Sequence, residues 1–143
     1  MDGEDVLRYG RSIPCFLGVF ELDDLLKLNV VKVEVGLIVI YNEHAIALYF
    51  TEDQVEIFDA LGLENKNVLQ TVCQFLKVHL PCKRLRLNTK IQSSGSQKCA
   101  YFCLVYLFFR CRSYTFDHIL NLFSCDLKTN DERVSRLFKL HFR

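Results

Sequence analysis

Three apolar segments follow one another in residues 30–61, VVKVEVGLIVIYNEHAIALYFTEDQVEIFDAL, with two short polar links between them. The segments are residues 30–41, 45–51 and 55–61. They are rich in β-branched and aromatic side chains, which is typical of strands. The links Asn42-Glu43 and Glu52-Asp53 are suited to tight turns. Because such short links join antiparallel neighbours, this stretch predicts three consecutive antiparallel strands.

Helical patterns surround these strands in the sequence. Residues 65–80 repeat apolar side chains at helical spacing before Pro81, which ends the helix. Residues 100–112 are apolar on nearly all sides and predict a helix buried at the centre of the domain. Other predicted helices cover residues 21–28, 116–123 and 131–142, and a further strand covers 83–88. This order indicates an α+β fold, in which a central, mostly antiparallel sheet packs against helices in one domain, residues 1–143.

Length and composition fit one globular unit. The chain has 143 residues, of which 50% are hydrophobic, enough for one buried core. Its longest uninterrupted apolar run, residues 100–109, is too short to cross a bilayer, and the first residues, MDGED, lack the pattern of a signal peptide. We therefore expect a soluble, intracellular monomer that does not engage a membrane.

The seven cysteines predict neither disulfides nor a metal site. Their number is odd, no secretion signal precedes them, and no two of them show the two-residue gap typical of zinc ligands. We expect reduced thiols, most of them core residues, and no metal or small-molecule cofactor.

The net charge of +1 conceals two oppositely charged regions. Residues 1–64 have thirteen acidic and four basic side chains, whereas residues 65–116 have nine basic and no acidic ones. The two regions could face each other within the fold, or the basic one could bind an anionic partner such as nucleic acid. The candidates for contacts with DNA phosphates are Lys83, Arg84, Arg86, Lys90 and Lys98.

Cys99 is the strongest candidate for a reactive group. It follows the flexible loop of residues 93–96, SSGS, and opens the predicted buried helix. Backbone N–H groups and the helix dipole lower the pKa of a thiol at such a position, so that the thiolate becomes a nucleophile. The alternative is an ordinary buried cysteine.

A histidine and a carboxylate on adjacent predicted strands could activate this thiol. His44 lies at the turn between two strands, and Asp59 shares the alternation phase of Val55 and Ile57, so the face that buries those two also buries a carboxylate. A buried carboxylate needs a partner, and an imidazole held by a carboxylate is what a cysteine nucleophile requires. The alternative for Asp59 is a cap on the following turn.

Two glutamines are candidates for binding the oxyanion of a covalent intermediate. Gln92 can reach back across the polar loop with its side-chain amide, and the backbone N–H of Cys99 would be the second donor. Gln97 is nearer in sequence, but its side chain should diverge from the thiol, so it ranks second.

Several segments together resemble adenain, the family of adenovirus maturation proteases, within the clan that also contains proteases of ubiquitin-like modifiers. These segments are IPCFLGVFE at 13–21, EH at 43–44, IFDALG at 57–62, IQSSGSQKCAYFC at 91–103 and SRLFKLHF at 135–142. The order His, acid, Gln, Cys is that of the clan. The chain departs from the family in its shorter length, in having Ala45 and Ala100 where Trp and Gly are common, and in having Asp rather than Glu as the acid.

The resemblance implies an endopeptidase that cleaves capsid precursor proteins of a virus or virus-like element near glycine, in the host nucleus or the virion. The catalytic residues that it implies are the nucleophile Cys99, the base His44, the orienting acid Asp59 and the oxyanion donor Gln92. It also implies two activators. A short peptide would form a disulfide with Cys82, and DNA would contact Lys83, Arg84 and Arg86. The alternative for Cys82 is a plain surface or packing cysteine in a shortened enzyme that needs no activator.

Two other functions stay open on this evidence. A deconjugating isopeptidase of ubiquitin-like modifiers would use the same catalytic residues on a different substrate. A catalytically inactive module would keep the fold and the basic surface in order to bind DNA or a partner protein.

Overall fold

A computed structural model describes residues 1–29, 32–63, 65–81 and 83–142. Its fold is α+β, as predicted, with a five-stranded sheet between two groups of helices. The strands are β1 (Phe16–Glu21), β2 (Val35–Tyr41), β3 (His44–Phe50), β4 (Gln54–Phe58) and β5 (Arg84–Leu87). The α-helices are α1 (Gly3–Gly10), α2 (Lys66–His79), α3 (Cys99–Cys111), α4 (Phe116–Leu120) and α5 (Leu127–His141), and a 3₁₀ helix covers Leu22–Lys27.

The sheet has the order β1-β2-β3-β4-β5, so strands adjacent in sequence are adjacent in space. The pairs β2–β3 and β3–β4 are antiparallel, as the short links predicted. The pairs β1–β2 and β4–β5 are parallel, so the sheet is mixed. The reason is that the 3₁₀ helix connects β1 to β2 and α2 connects β4 to β5, and such crossovers return the chain to the end of the sheet at which the first strand began.

Strand β3 is buried on both faces and contributes to two hydrophobic cores. Ala47 and Tyr49 face α1, α3, α4 and α5, whereas Leu48 and Phe50 face α2 and the 3₁₀ helix. This is the two-residue alternation of a strand. Helix α3 lies over the first face with α1, α4 and α5 around it, which explains why its sequence is apolar on nearly all sides.

Several element boundaries differ from those expected from the sequence. The predicted strand 30–41 begins at Val35, and its residues 30 and 31 lie outside the described residues. Helix α5 begins at Leu127 rather than at residue 131, because the side chain of Asp126 accepts a hydrogen bond from the Thr129 N–H and caps it. Strand β4 ends at Phe58, so that Asp59 comes directly after the strand.

Candidate active site

The predicted nucleophile opens the central helix. Cys99 is the first residue of α3, and its Sγ accepts a hydrogen bond from the backbone N–H of Ala45 at 3.4 Å. The thiol therefore lies at the positive end of a helix dipole and beside an N–H group of β3. Both features favour the thiolate over the neutral thiol.

A tight turn sets the position of His44. Asn42 and Glu43, which separate β2 from β3, have φ values of 49° and 64°. A two-residue type I′ turn requires positive φ at both of these positions. The turn pairs His44 with Tyr41, and Nε2 of His44 lies 2.7 Å from Oδ1 of Asp59. The hairpin thus holds the backbone of His44, and the carboxylate holds its ring.

Asp59 is buried, as its alternation phase predicted, with 2% of its surface exposed. Its Oδ1 also accepts from the backbone N–H of Leu61 at 2.9 Å, so the side chain orients the histidine and caps the following turn at once. Oδ1 of Asn88 accepts from the Asp59 N–H at 2.9 Å, and Nδ2 of Asn88 donates to the Asp59 carbonyl at 2.7 Å. Sequence reasoning missed Asn88; the available signal was a polar residue directly after β5.

The surroundings of His44 favour its protonated, positive form, and those of Cys99 favour its deprotonated, negative form. Burial lowers the pKa of His44, but its hydrogen bonds to Asp59 and Cys99, together with their negative charges, outweigh burial and raise that pKa to about 9. Burial raises the pKa of Cys99, but the hydrogen bonds from His44 and from the Ala45 N–H bring it below its usual value. Because Nε2 faces Asp59, Nδ1 is the ring atom left for the thiol. Both shifts are in the direction that favours a thiolate and an imidazolium over the neutral pair.

Two other thiols differ from Cys99 in the direction of their pKa shift. Cys103, one turn further along α3, is fully buried, and the loss of solvation raises its pKa well above the usual value. Burial and a hydrogen bond with Cys111 raise the pKa of Cys15 to about 12. Of these half-buried or buried thiols, Cys99 alone combines a lowered pKa with a histidine partner.

The two candidate glutamines differ in their surroundings. Gln92 is fully buried; its Nε2 donates to the Ser96 carbonyl at 2.8 Å, and its Oε1 has no hydrogen-bond partner among the described residues. Gln97, ranked second, lines the cavity that contains Cys99, and Gln92 does not. Gln92 therefore supports the loop before the nucleophile, and Gln97 faces the open space beside it.

The loops that carry Asp59 and Gln92 are joined through their backbones. The N–H groups of Ile91 and Gln92 both donate to the Ala60 carbonyl, at 2.8 and 3.0 Å. Gly62 has a φ of 80°, and a Cβ atom there would lie 3.0 Å from the backbone nitrogen of Lys90. Glycine thus allows the two loops to approach closely.

Helix α5 holds the loop before Cys99 from the other side. Asn130 is fully buried and donates from Nδ2 to the Ile91 carbonyl at 2.9 Å. Asp131 accepts hydrogen bonds from both the N–H and the hydroxyl of Ser93. Sequence reasoning assigned no role to Asn130 or Asp131. These contacts fix residues 91–93 on the helix that packs behind the site.

A cavity of about 790 Å³ adjoins the reactive pair. His44 and Cys99 line it, with Ala45 and Ala100 beside them. The start of α1 and the ends of β1 and β2 form the opposite side. The cavity therefore gives a polypeptide or other ligand direct access to Sγ of Cys99.

The basic residues proposed for DNA contacts have partners within the fold. Nζ of Lys83 donates to the carbonyls of Thr51 and Glu52. Arg84 forms an ion pair with Asp53, and Arg86 forms one with Asp117. These contacts favour the interpretation in which basic and acidic groups pair within the fold, and a DNA phosphate would have to compete with them. Lys90 and Lys98 donate to Ser94 and Ser135.

Cys82, the proposed attachment point of an activating peptide, lies outside the described residues. The neighbouring strand β5 is described, and it forms one edge of the sheet. Within the described ranges, no group of three or more His, Cys, Asp or Glu side chains is arranged to hold a metal ion. The same ranges contain no helix with the length and apolar character needed to span a membrane.

Comparisons with known proteins extend the description of the fold. No protein-family model matches the chain, and no curated protein sequence matches it. Among solved structures, the central domain of an uncharacterized protein from Legionella pneumophila is similar, with a TM-score of 0.57 and 17% sequence identity. The similarity covers 97% of this chain and 98% of that one. At this identity it bears on the fold alone.

Proposed function

We propose that this chain is a cysteine endopeptidase of the adenain type. The observation that carries the proposal is the linked series of Cys99, His44 and Asp59, in which the thiol has a lowered pKa, the imidazole has a raised one, and a buried carboxylate lies 2.7 Å from the ring. This is the set of groups that a thiol nucleophile requires.

In the first half of the reaction, the thiolate of Cys99 attacks the carbonyl carbon of the scissile peptide bond. The carbonyl oxygen becomes an oxyanion, and the backbone N–H of Cys99 at the start of α3 supplies one donor to it. A glutamine amide supplies the second, from Gln92 by resemblance or from Gln97, which lines the cavity. The imidazolium of His44 then protonates the leaving amine, the C–N bond breaks, and a thioester remains on Cys99.

In the second half, water attacks the thioester carbonyl. Neutral His44 accepts one proton from this water, and the C–S bond breaks to release the thiolate and a carboxylic acid, which loses its remaining proton to solvent and becomes a carboxylate. Asp59 keeps Nε2 of His44 engaged throughout, so that Nδ1 faces the thiol and the reacting groups. Nothing in this sequence of steps needs a group beyond the residues named and water.

The substrate part of the proposal rests on the resemblance of the sequence segments to adenain. We accordingly propose capsid precursor proteins of a virus or virus-like element, cleaved near glycine. An isopeptidase that acts on ubiquitin-like modifiers would use the same residues, so substrate choice separates the two. A short glycine-containing peptide should be cleaved in preference to a modifier fused at its Gly-Gly tail, and the reverse preference would favour the isopeptidase.

Selective alkylation of thiols tests the reactive site without knowledge of the substrate. Limiting iodoacetamide at pH 7, followed by peptide mass spectrometry, should label Cys99 well ahead of the other six cysteines. The control is the His44→Ala variant, in which Cys99 should no longer be labelled faster than the other cysteines. Equal labelling of Cys99 and the exposed Cys73 in the unmodified protein would contradict the proposal.

A further inference from the structure

The cavity beside Cys99 continues into a second cavity along the edge of the sheet. The second has a volume of about 640 Å³ and lies between α1, β1 and the 3₁₀ helix. The two share Asp2, Gly3, Glu21 and Ile40 in their walls. The two cavities are therefore adjacent, and the surface that they form together is called the groove below; it leads away from Cys99.

Carboxylates dominate the walls of this groove. The acidic residues that line one or both cavities are Asp2, Glu4, Asp5, Glu21, Asp24 and Glu43. No Lys or Arg is among the described residues that line it, and its cationic groups are His44 and the amino group of Met1. The groove that reaches Cys99 therefore has a negative wall, although the whole chain has a net charge of +1.

Three of these carboxylates have partners within the fold, and the side chains of Glu4, Glu21 and Glu43 have none among the described residues. Asp2 and Asp5 form the capping box of α1, Asp5 also pairs with Arg8, and Asp24 pairs with Lys27. Glu21 ends β1 and Glu43 lies in the turn before His44. Neither side chain has a hydrogen bond or ion pair with any described residue, and both residues are exposed and line the cavity that contains Cys99.

A polar atom of the cavity wall also lacks a partner. The Ser96 hydroxyl is buried without a hydrogen-bond partner among the described residues, and Ser96, which directly precedes Gln97, lines the cavity. Buried polar groups are normally paired, and this oxygen is almost inaccessible from the cavity, so it belongs to the packing of the loop before Cys99 rather than to the contacts of a bound peptide. The charge of the wall is the feature of this space that bears on a bound polypeptide.

We infer that the substrate of this site is a polypeptide with a lysine or arginine close to the scissile bond, whose cationic side chain lies between Glu21 and Glu43. The inference rests on the proposed function for the position of the scissile bond. It adds a charge requirement to the glycine that the resemblance implies, and it assigns Glu21 and Glu43 as specificity residues. The basic region of the chain has its own partners elsewhere and leaves these two carboxylates unneutralised.

Cleavage of a mixed peptide library tests this assignment. A proteome digested with a Glu-specific protease keeps internal Lys and Arg, and mass spectrometry of the new termini gives the residue preference around each cleaved bond. We expect Lys and Arg to be enriched near the bond by the unmodified protein. Glu21→Gln and Glu43→Gln should each lower this enrichment by roughly two- to fivefold. The double variant, which lacks both carboxylates, should show the larger loss. The charge-matched control is the double variant Glu52→Gln and Glu132→Gln, at exposed acids outside the groove, which should keep the preference.

Binding to the inactive Cys99→Ala protein separates this inference from the proposed function. A fluorescein-labelled Lys-Gly repeat peptide should bind more tightly than a Gln-Gly repeat, the difference should shrink with added salt, and it should be lost on adding Glu21→Gln and Glu43→Gln. If this pattern appears but no library peptide is cleaved, the function fails and the groove assignment holds. If peptides are cleaved without enrichment of Lys or Arg, or if the control double variant loses the enrichment equally, the groove assignment is overturned and the protease proposal stands.

Discussion

The two ends of α3 each carry a cysteine, and their surroundings make them chemically different. At the first end, Cys99 contacts His44 and the Ala45 N–H, and its pKa is lowered. At the last, Cys111 forms a hydrogen bond with Cys15, whose pKa is raised to about 12 by burial and by that contact. The comparison teaches that a histidine and a backbone N–H can lower the pKa of a half-buried thiol, whereas burial against a second thiol raises it.

The largest effect is expected from exchanging the cysteines themselves. Cys99→Ala should reduce cleavage of a glycine-containing peptide to the background level, because the covalent intermediate cannot form. Cys111→Ala, at the other end of the same helix, should retain the activity of the unmodified protein. If Cys99→Ala stayed active while Cys103→Ala did not, the nucleophile would be misassigned.

Removing His44 should make Cys99, at the start of α3, as unreactive as Cys111 at its end. His44→Ala should lower kcat/KM by roughly 10²- to 10⁴-fold, because both the proton donor and the counter-ion of the thiolate are lost. Asp59→Asn should have an intermediate effect. The combined Cys99→Ala and His44→Ala variant should be no worse than Cys99→Ala alone, since the two residues act as one unit. The control is His118→Ala, at an exposed histidine of α4.

The last turn of α3 is expected to affect stability rather than reactivity. Arg110 forms an ion pair with the fully buried Glu56 at 2.8 Å, and the Tyr106 hydroxyl donates to the same carboxylate. Arg110→Ala leaves this buried charge without its cation and should lower the free energy of unfolding by roughly 3 kcal/mol, measured by urea denaturation. The alkylation rate of Cys99 in the folded protein should not change. Arg136→Ala, at an exposed position on α5, should be close to neutral.

Two glutamine variants test which side chain binds the oxyanion next to Cys99. Replacing the side chain that binds the oxyanion should lower kcat by roughly 10²- to 10³-fold, and the resemblance assigns this role to Gln92. Gln92→Ala and Gln97→Ala should be compared in kcat and in thermal stability. A loss of kcat in Gln97→Ala, together with a loss of stability alone in Gln92→Ala, would transfer the role to the residue that lines the cavity.

High pH should reduce the difference in reactivity between Cys99 and the other cysteines. The pKa of His44 is raised to about 9, so its imidazolium is present below that pH and is lost above it. Cleavage should therefore decline on the alkaline side, by about tenfold for each pH unit above that pKa, because the leaving amine lacks a proton donor. The alkylation advantage of Cys99 should also shrink there, since ordinary thiols ionise as well. An activity that keeps rising beyond pH 10 would contradict the assignment of His44 as the acid.

The sequence was sufficient to predict much of the reactive end of α3. Alternation placed Asp59 on a buried face, and a short polar link placed His44 on the neighbouring strand, so their contact follows from local geometry. The loop before Cys99 and the apolar run after it predicted a helix over residues 100–112, and α3 begins one residue earlier, at Cys99 itself. Such features depend on residues near one another in the chain, and periodicity records them directly.

Tertiary packing decided the rest. The parallel pairing of β1 with β2 depends on a crossover that periodicity does not encode. Helix α1 was missed for another reason, since the sequence does carry a signal for it in the capping box of Asp2 and Asp5. The positions of Gln92 and Gln97 depend on how α5 and the Asp59 loop hold residues 91–93. The acidic groove joins α1, β1 and the turn before His44, segments far apart in sequence, so only the folded chain brings Glu21 and Glu43 to the same cavity.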